Sequence, residues 1–208
     1  MARIRATRPD AVTLNETCQG DVARIALRTG YHLRFSTVTV AGKPLACVRP
    51  GGRGRFGDAV LTKAGVESSE SHDFAAQAGS EWRRWLCVPP RAGVDVCTAH
   101  LAMRSTANDL QCAELAAILA RRATTHTVIF GGDVNRSRAC APESAWARTD
   151  GSADQAPGLQ SVYGTGALRS PSVQVTPAVH TDHDILQVRA ELSSHAPSLD
   201  VALWNQRS

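Results

Sequence analysis

Residues able to do chemistry collect at four places in the chain, each against an apolar run. Asn15 and Glu16 follow Val12, Thr13 and Leu14, and His100 follows the run 94–99. Asp133 and Asn135 follow the run 127–130 and a Gly-Gly pair, and His180, Asp182, His183 and Asp184 precede Ile185. Asp133 and Asn135 are two apart, so in an extended chain their side chains share a face. An acid and an amide so placed could hold a water and a phosphate oxygen together, and the glycines before them permit close approach. A Gly-Asp turn with Asn135 as a helix cap accounts for the same residues. Glu16 ends an apolar strand, where a carboxylate needs a partner or a cation. Magnesium takes oxygen ligands, keeps several waters and needs only one or two carboxylates plus substrate phosphate, so Glu16 suits it; a solvated acid at a strand end suits the sequence equally. His183 lies between two acids, an environment for a general acid or base near neutral pH. Zinc is the competing reading, but the H-x-H-x-D-H pattern of one zinc-hydrolase type is absent. His100 alone reads as structural at least as readily as functional. His32, His72, His126 and His195 lie in no cluster and read as structural.

These groups meet only if several strands end at one edge, the place where ligands bind open α/β sheets. The pattern predicts the last turns of a helix over 2–8, a strand over 12–14, a helix over 21–28 closed by Gly30, and a strand over 31–40. A turn at Gly42-Lys43-Pro44, a short strand over 45–48, a glycine-rich loop over 49–57 and a strand over 59–62 follow. Residues 67–80 read as a surface loop, and 85–88 with 94–99 as a hairpin. A helix over 108–122, capped by Asn108 or Asp109, leads to a strand over 127–130. After a loop over 136–158 come strands over 159–163, 173–175 and 185–192. Strands outnumber helices, which predicts one α/β domain with a mixed sheet.

Composition bounds the function class. A chain of 208 residues with 43% hydrophobic content can build a core without staples. Its most apolar stretch, 113–120, contains Glu114 and is far shorter than the roughly 20 residues of a membrane span. The net charge of +4 predicts mild attraction to polyanions, short of the dense basic stripe of a dedicated nucleic-acid binder. All cations but Lys43 and Lys63 are arginine, which fits either codon usage in a GC-rich genome or bidentate recognition of phosphate. None of the 6 cysteines forms a C-x-x-C pair. Cys87 and Cys97 flank a Pro-Pro-Arg-Ala-Gly turn where two strands could bring them together, and an even count allows disulfides and hence a secreted, oxidising setting. Free cysteines packed in apolar runs are the alternative. The N-terminus lacks the apolar stretch of a signal peptide. The glycine loop lacks the G-K-[ST] ending of a phosphate loop, and Trp82 and Trp85 beside Arg83 and Arg84 read as core packing with Arg snorkelling rather than as base stacking.

Six motifs in order carry a resemblance: Leu14-Asn15-Glu16, Gly57-Asp58-Ala59-Val60-Leu61-Thr62, Glu81-x-Arg83, Thr98-Ala99-His100-Leu101, Gly132-Asp133-Val134-Asn135 and Thr181-Asp182-His183-Asp184. Together they resemble the endonuclease/exonuclease/phosphatase superfamily, with its deoxyribonuclease I-like fold, over about residues 9–192. The resemblance implies an α/β fold, a four-layered sandwich of two mixed β-sheets flanked by helices. It implies a domain over 1–192 and a C-terminal tail over 193–208. It makes Glu16 the magnesium ligand with Asp182 near the metal, has Asp133 and Asn135 orient water and phosphate, makes His183 the catalytic histidine and puts His100 on the phosphate. Mg2+, with Mn2+ as an alternative ion, would stabilise charge as water attacks phosphorus in line. Two departures stand out. Family members open with a strand carrying an asparagine near the metal, whereas this chain starts inside the first helix; the expectation is a shortened form lacking that first strand. Gln160 stands where the family carries an aspartate that orients the last histidine, and a glutamine accepts a hydrogen bond without stabilising the charged imidazole. The expected activity is therefore a Mg2+-dependent hydrolase of phosphodiester or phosphomonoester bonds, nuclease-like and monomeric, with nucleic acid favoured as partner. A catalytically weak or inactive member acting as a phosphate-ligand binding or interaction module is the alternative.

Overall fold

A computed structural model describes residues 1–48, 51–89, 93–179, 181–193 and 199–205. Along the chain run α1 (Ala2–Thr7), β1 (Ala11–Cys18), α2 (Gln19–Thr29), β2 (His32–Thr37), β3 (Thr39–Val40), β4 (Lys43–Pro44) and β5 (Phe56–Thr62). Then come β6 (Glu70–Asp73), β7 (Glu81–Trp82), β8 (Arg84–Val88), β9 (Val94–Ala99), α3 (Thr106–Ala123) and β10 (Thr127–Asp133). The last are β11 (Trp146–Thr149), β12 (Gln160–Gly164), β13 (Leu168–Thr176), β14 (Ile185–Leu192) and β15 (Leu199–Asn205). One sheet has the spatial order β13-β14-β15-β1-β5-β2, the second β11-β12-β10-β9-β8-β6, and β4-β3-β7 form a small third sheet. Both large sheets are mixed: β1 runs parallel to β15 and β10 parallel to β9, with their other ladders antiparallel.

Period-two alternation explains the layering. In β1, Val12 and Leu14 pack outward with Ile4 of α1 and Val22 of α2, while Ala11 faces the second sheet. In β10, Val128 and Phe130 pack outward on Leu115, Ile118 and Leu119 of α3, while Ile129 faces the first sheet. The seam between the sheets is filled by Val60, Leu86, Val96, Ile129, Val162, Leu186, Val188, Val201 and Leu203. Each such side chain contributes about 1.5–3 kcal/mol on burial, so this apolar seam is the main force holding the layers together. The result is the expected four-layered sandwich.

The helices obey their local signals. Gly30 ends α2 at φ 77°, a conformation that glycine adopts without penalty. The cap of α3 is Ser105, whose hydroxyl accepts from the Asn108 amide, rather than Asn108 or Asp109. Asn108 is instead buried, its amide donating to the carbonyls of Ala102 and Val134.

Other expectations need correction. Leu199–Asn205, expected in a C-terminal tail, form a strand inserted between β14 and β1. The sheet position beside β1 is therefore occupied by a strand from residues 199–205. The signal was the alternation of Leu199, Val201 and Leu203. Strands β6 and β11 lie inside segments expected to be loops; both pair at a sheet edge, where polar residues carry no periodic apolar signal. Lys43–Pro44, read as a turn, form β4, and residues 45–48 contribute one bridge, Ala46 to Arg55, in place of a strand. The Cys87–Cys97 turn and His180 fall partly or wholly outside the described residues. All 6 cysteines are paired, as Cys18–Cys47, Cys87–Cys97 and Cys112–Cys140. Among the described residues no helix is long and apolar enough to cross a membrane.

Candidate active site

At one end the apolar seam turns polar, because the inward-facing rows of several strands finish on a polar residue. Ala11 and Thr13 lead to Asn15, Val60 to Asp58, Val94 and Val96 to Thr98, Ile129 to Asp133, and Val162 to Gln160. All five terminal residues are buried. Hydrogen bonds replace dispersion as the contact between the sheets there. The Asn15 amide donates to Asp58 Oδ1 at 2.8 Å and to Thr98 Oγ1 at 3.3 Å, while its oxygen accepts from the Asp133 amide at 3.0 Å. One side chain thus ties β1 and β5 of the first sheet to β9 and β10 of the second.

Backbone irregularity aims the ligands. The β1–β5 register shifts between Leu14 and Thr17, and Glu16, inside this bulge, has φ 52°. A left-handed conformation is uncommon outside glycine and is kept only where surrounding contacts over-determine it. Here it carries Glu16 toward the seam, where Oε1 lies 3.6 Å from His100 Nδ1. Asn135 also has φ 52°, and its backbone amide donates to Asp133 Oδ1 at 2.9 Å. Gly132 lets two backbones touch: an added Cβ would sit 2.2 Å from the Ala99 carbonyl oxygen. That closeness sets His100 opposite Asp133 in an isolated parallel bridge.

The two histidines flank Asp133. His100 Nε2 is 3.7 Å and His183 Nε2 3.3 Å from Asp133 Oδ2. Arg83 approaches His100 Nδ1 at 2.7 Å; a guanidinium only donates, so Nδ1 accepts and the ring proton lies on Nε2. Burial first, then the charges of Arg83 and His183, hold His100 well below the usual histidine range. It is a neutral imidazole whose N–H faces the seam. That N–H meets another donor, the Asn135 side-chain nitrogen 3.1 Å away, which itself donates to the Leu101 carbonyl at 2.9 Å. His183 is reached through a tight turn in which its amide donates to Thr181 Oγ1 at 3.3 Å. Asp184 braces the same turn, accepting from the Asp154 amide at 2.9 Å and the Ala178 amide at 3.2 Å.

The carboxylates on the first-sheet side repel one another. Burial pushes Glu16 up to about 7; Arg83 offsets part of this, and Asp182, Asp58 and Glu81 add to it. Burial likewise raises Asp58 to about 6 against the hydrogen bond from Asn15 and the charge of Arg83. Among the described residues no three His, Cys, Asp or Glu side chains form a ready-made metal cluster. Magnesium does not require one, since one or two carboxylates suffice when substrate oxygens and waters complete the shell. A carboxylate raised to about 7 first by burial and then by the charges of Asp182, Asp58 and Glu81 is an oxygen donor that suits such a hard cation.

All six residues singled out for chemistry lie at this end of the molecule. Glu16, His100, Asp133, Asn135 and His183 are joined by the contacts above, and Asp182 acts on Glu16 through its charge. Sequence reasoning assigned no role to Asn15, Asp58 or Arg83. Each stands in a recognised motif, Asn15 directly before Glu16, but nothing in a motif says that Asn15 bridges two sheets. Asp150, which holds Gln160, was missed entirely.

A profile described as the Endonuclease/Exonuclease/phosphatase family matches residues 1–183. A search of curated proteins finds no match. Among solved structures, TDP2 from Caenorhabditis elegans is 16% identical, with a TM-score of 0.60 over 87% of this chain; the match spans 64% of that protein, less than two thirds of its length. An endonuclease/exonuclease/phosphatase from Bacteroides vulgatus is 13% identical over 91% of this chain and 87% of its own, with a TM-score of 0.65. D. rerio TDP2 in complex with a single-strand DNA product is 14% identical over 88% of this chain and 86% of its own, with a TM-score of 0.59. At these identities the solved structures speak for the fold, while the profile spans most of the chain and the motif-bearing strand ends: the chain belongs to the endonuclease/exonuclease/phosphatase family.

Proposed function

We propose that this protein is a metal-dependent phosphoesterase, with Mg2+ as its ion and Mn2+ as an alternative, acting on a phosphodiester or phosphomonoester. One observation carries the reading: at a single end of the seam a repelling carboxylate group around Glu16 faces two buried histidines that share Asp133. Glu16 and Asp182 would hold the cation, which would supply Lewis-acid stabilisation of the phosphate charge. Asp133, anchored through the Asn15 bridge, orients the attacking water. Asn135 presents an amide to the phosphate. His100, held neutral first by burial and then by the charges of Arg83 and His183, donates its Nε2–H to a phosphate oxygen and so stabilises charge without bringing a second cation. His183 moves a proton at Nε2, beside Asp133.

Nucleic acid is the substrate we favour, on the arginine-dominated basic charge and on the DNA product that a fish TDP2 of the same fold holds. The pairing of every cysteine supports a secreted protein. Assays of plasmid DNA, an inositol polyphosphate and sphingomyelin with Mg2+ should show cleavage of DNA first, abolished by EDTA. No cleavage of any of the three would overturn the reading. A second reading, a weakly active phosphate-binding member, is favoured by the neutral Gln160 behind His183. Phosphate bound in calorimetry with no Mg2+ uptake would select it.

A further inference from the structure

Gln160 is neutral, but it does not stand alone. Its backbone amide and its side-chain amide donate to the two oxygens of Asp150, each at 3.1 Å. The side-chain nitrogen also donates to the carbonyl of Asp184, the residue after His183, at 2.7 Å. Both amide hydrogens are committed to oxygen acceptors, which fixes which end of the amide is nitrogen. Its oxygen Oε1 is left over, buried and without a hydrogen-bond partner. His183 Nδ1 is likewise buried and without a partner, although the residue next to it touches Gln160. Asp150 and Gln160 are fully buried, and Asp150 is close enough for the charge of His183 to act on it. A single bond between this acceptor and this ring nitrogen would satisfy both.

We propose that Asp150 is a positioning residue for His183: it clamps the Gln160 amide so that Oε1 accepts the Nδ1–H of the imidazole. The negative charge expected directly behind the histidine has moved one residue back, with Gln160 as the connector. The Nδ1–H tautomer leaves Nε2, on the Asp133 side, as the nitrogen that takes and returns a proton. This rests on the reading of His183 as the proton-moving group, so the test has an arm that does not depend on turnover.

Nitrogen-15 NMR of His183 in the full chain reads the tautomer directly. The wild type should show Nδ1–H; Gln160→Leu, and Asp150→Asn where the leucine variant fails to fold, should show a mixture of tautomers. In kinetics, Asp150→Asn should lower kcat by about 10-fold or more with KM little changed, the size of effect typical of outer partners of an active-site histidine. The double variant Asp150→Asn/Gln160→Glu, which returns the carboxylate to the position next to the ring and gives it an amide partner, should recover most of the lost rate. A residue that merely stabilised the loop would not be rescued in this way. An Nε2–H tautomer in the wild type, unchanged tautomers in the variants, or a double variant no faster than Asp150→Asn would overturn the proposal. A wild-type chain with the Nδ1–H tautomer but no Mg2+-dependent cleavage would support the clamp and overturn the functional reading instead.

Discussion

The seam between the two large sheets has an apolar end and a polar end, built by the same strands only a few residues apart. Around Ile129, Val188 and Val201 the contact is dispersion and excluded water. Around Asn15, Asp58 and Asp133 it is a lattice of buried hydrogen bonds that also gathers unfavourable charge. The first end supplies stability; the second gathers the candidate catalytic groups at a cost in stability that the first end offsets. Breaking either end separately should therefore give opposite phenotypes.

The largest effect is expected for Val201→Asp, which puts an unpaired carboxylate into the middle of the seam. Loss of at least about 3 kcal/mol, read by urea unfolding, would leave little folded protein. Ile129→Ala should cost about 2–5 kcal/mol while the remaining folded fraction keeps its kcat. At the polar end, His183→Ala or Asp133→Ala should lower the rate by about 10²-fold or more with the midpoint of unfolding nearly unchanged or raised. Full activity in His183→Ala would dissolve the contrast between the two ends. A pH titration sharpens it further. Glu16 and Asp58 ionise in the folded protein at about 7 and about 6, above the ordinary values of 4.5 and 3.8. Between those limits the folded state binds more protons than the unfolded, so the metal-free protein should lose their contribution to stability as pH rises from about 4 to about 7. Added Mg2+ should reverse the trend near pH 7 by favouring ionised Glu16; a metal-free protein whose stability rises steadily across that window would contradict the cost of burying these two carboxylates. The smallest effect belongs to the exposed Lys63–Asp10 pair, whose loss in Lys63→Ala should cost under about 1 kcal/mol in the same unfolding assay.

The parts of this design that are written in neighbouring residues were legible in the sequence. Glu16, His100, Asp133, Asn135 and His183 each stand at the end of an apolar run, and strands that end together must bring them together. What lay hidden was written between distant residues. Asp150 sits in a loop with no periodic pattern, and its meaning comes from Gln160 ten places on and from the turn at Asp184. Arg83 was visible in its motif, but its grip on His100 depends on two strands meeting in register. Strand β15 carried a clear alternation and was still misassigned, because its partner β1 lies at the opposite end of the chain.

That last pairing bears on how the protein comes into being. The Asp200 amide bonds to Asp10 across 190 residues of sequence, and β15 is flanked by β14 on one side and β1 on the other. A ribosome adding about 5–20 residues per second would release β1 many seconds before β15. Until then the bulge at Glu16 belongs to a strand with one neighbour missing, and an unpaired edge of this kind recruits other chains. The first sheet is complete only once β15 has been inserted between β14 and β1, so any activity that depends on Glu16 should follow that insertion.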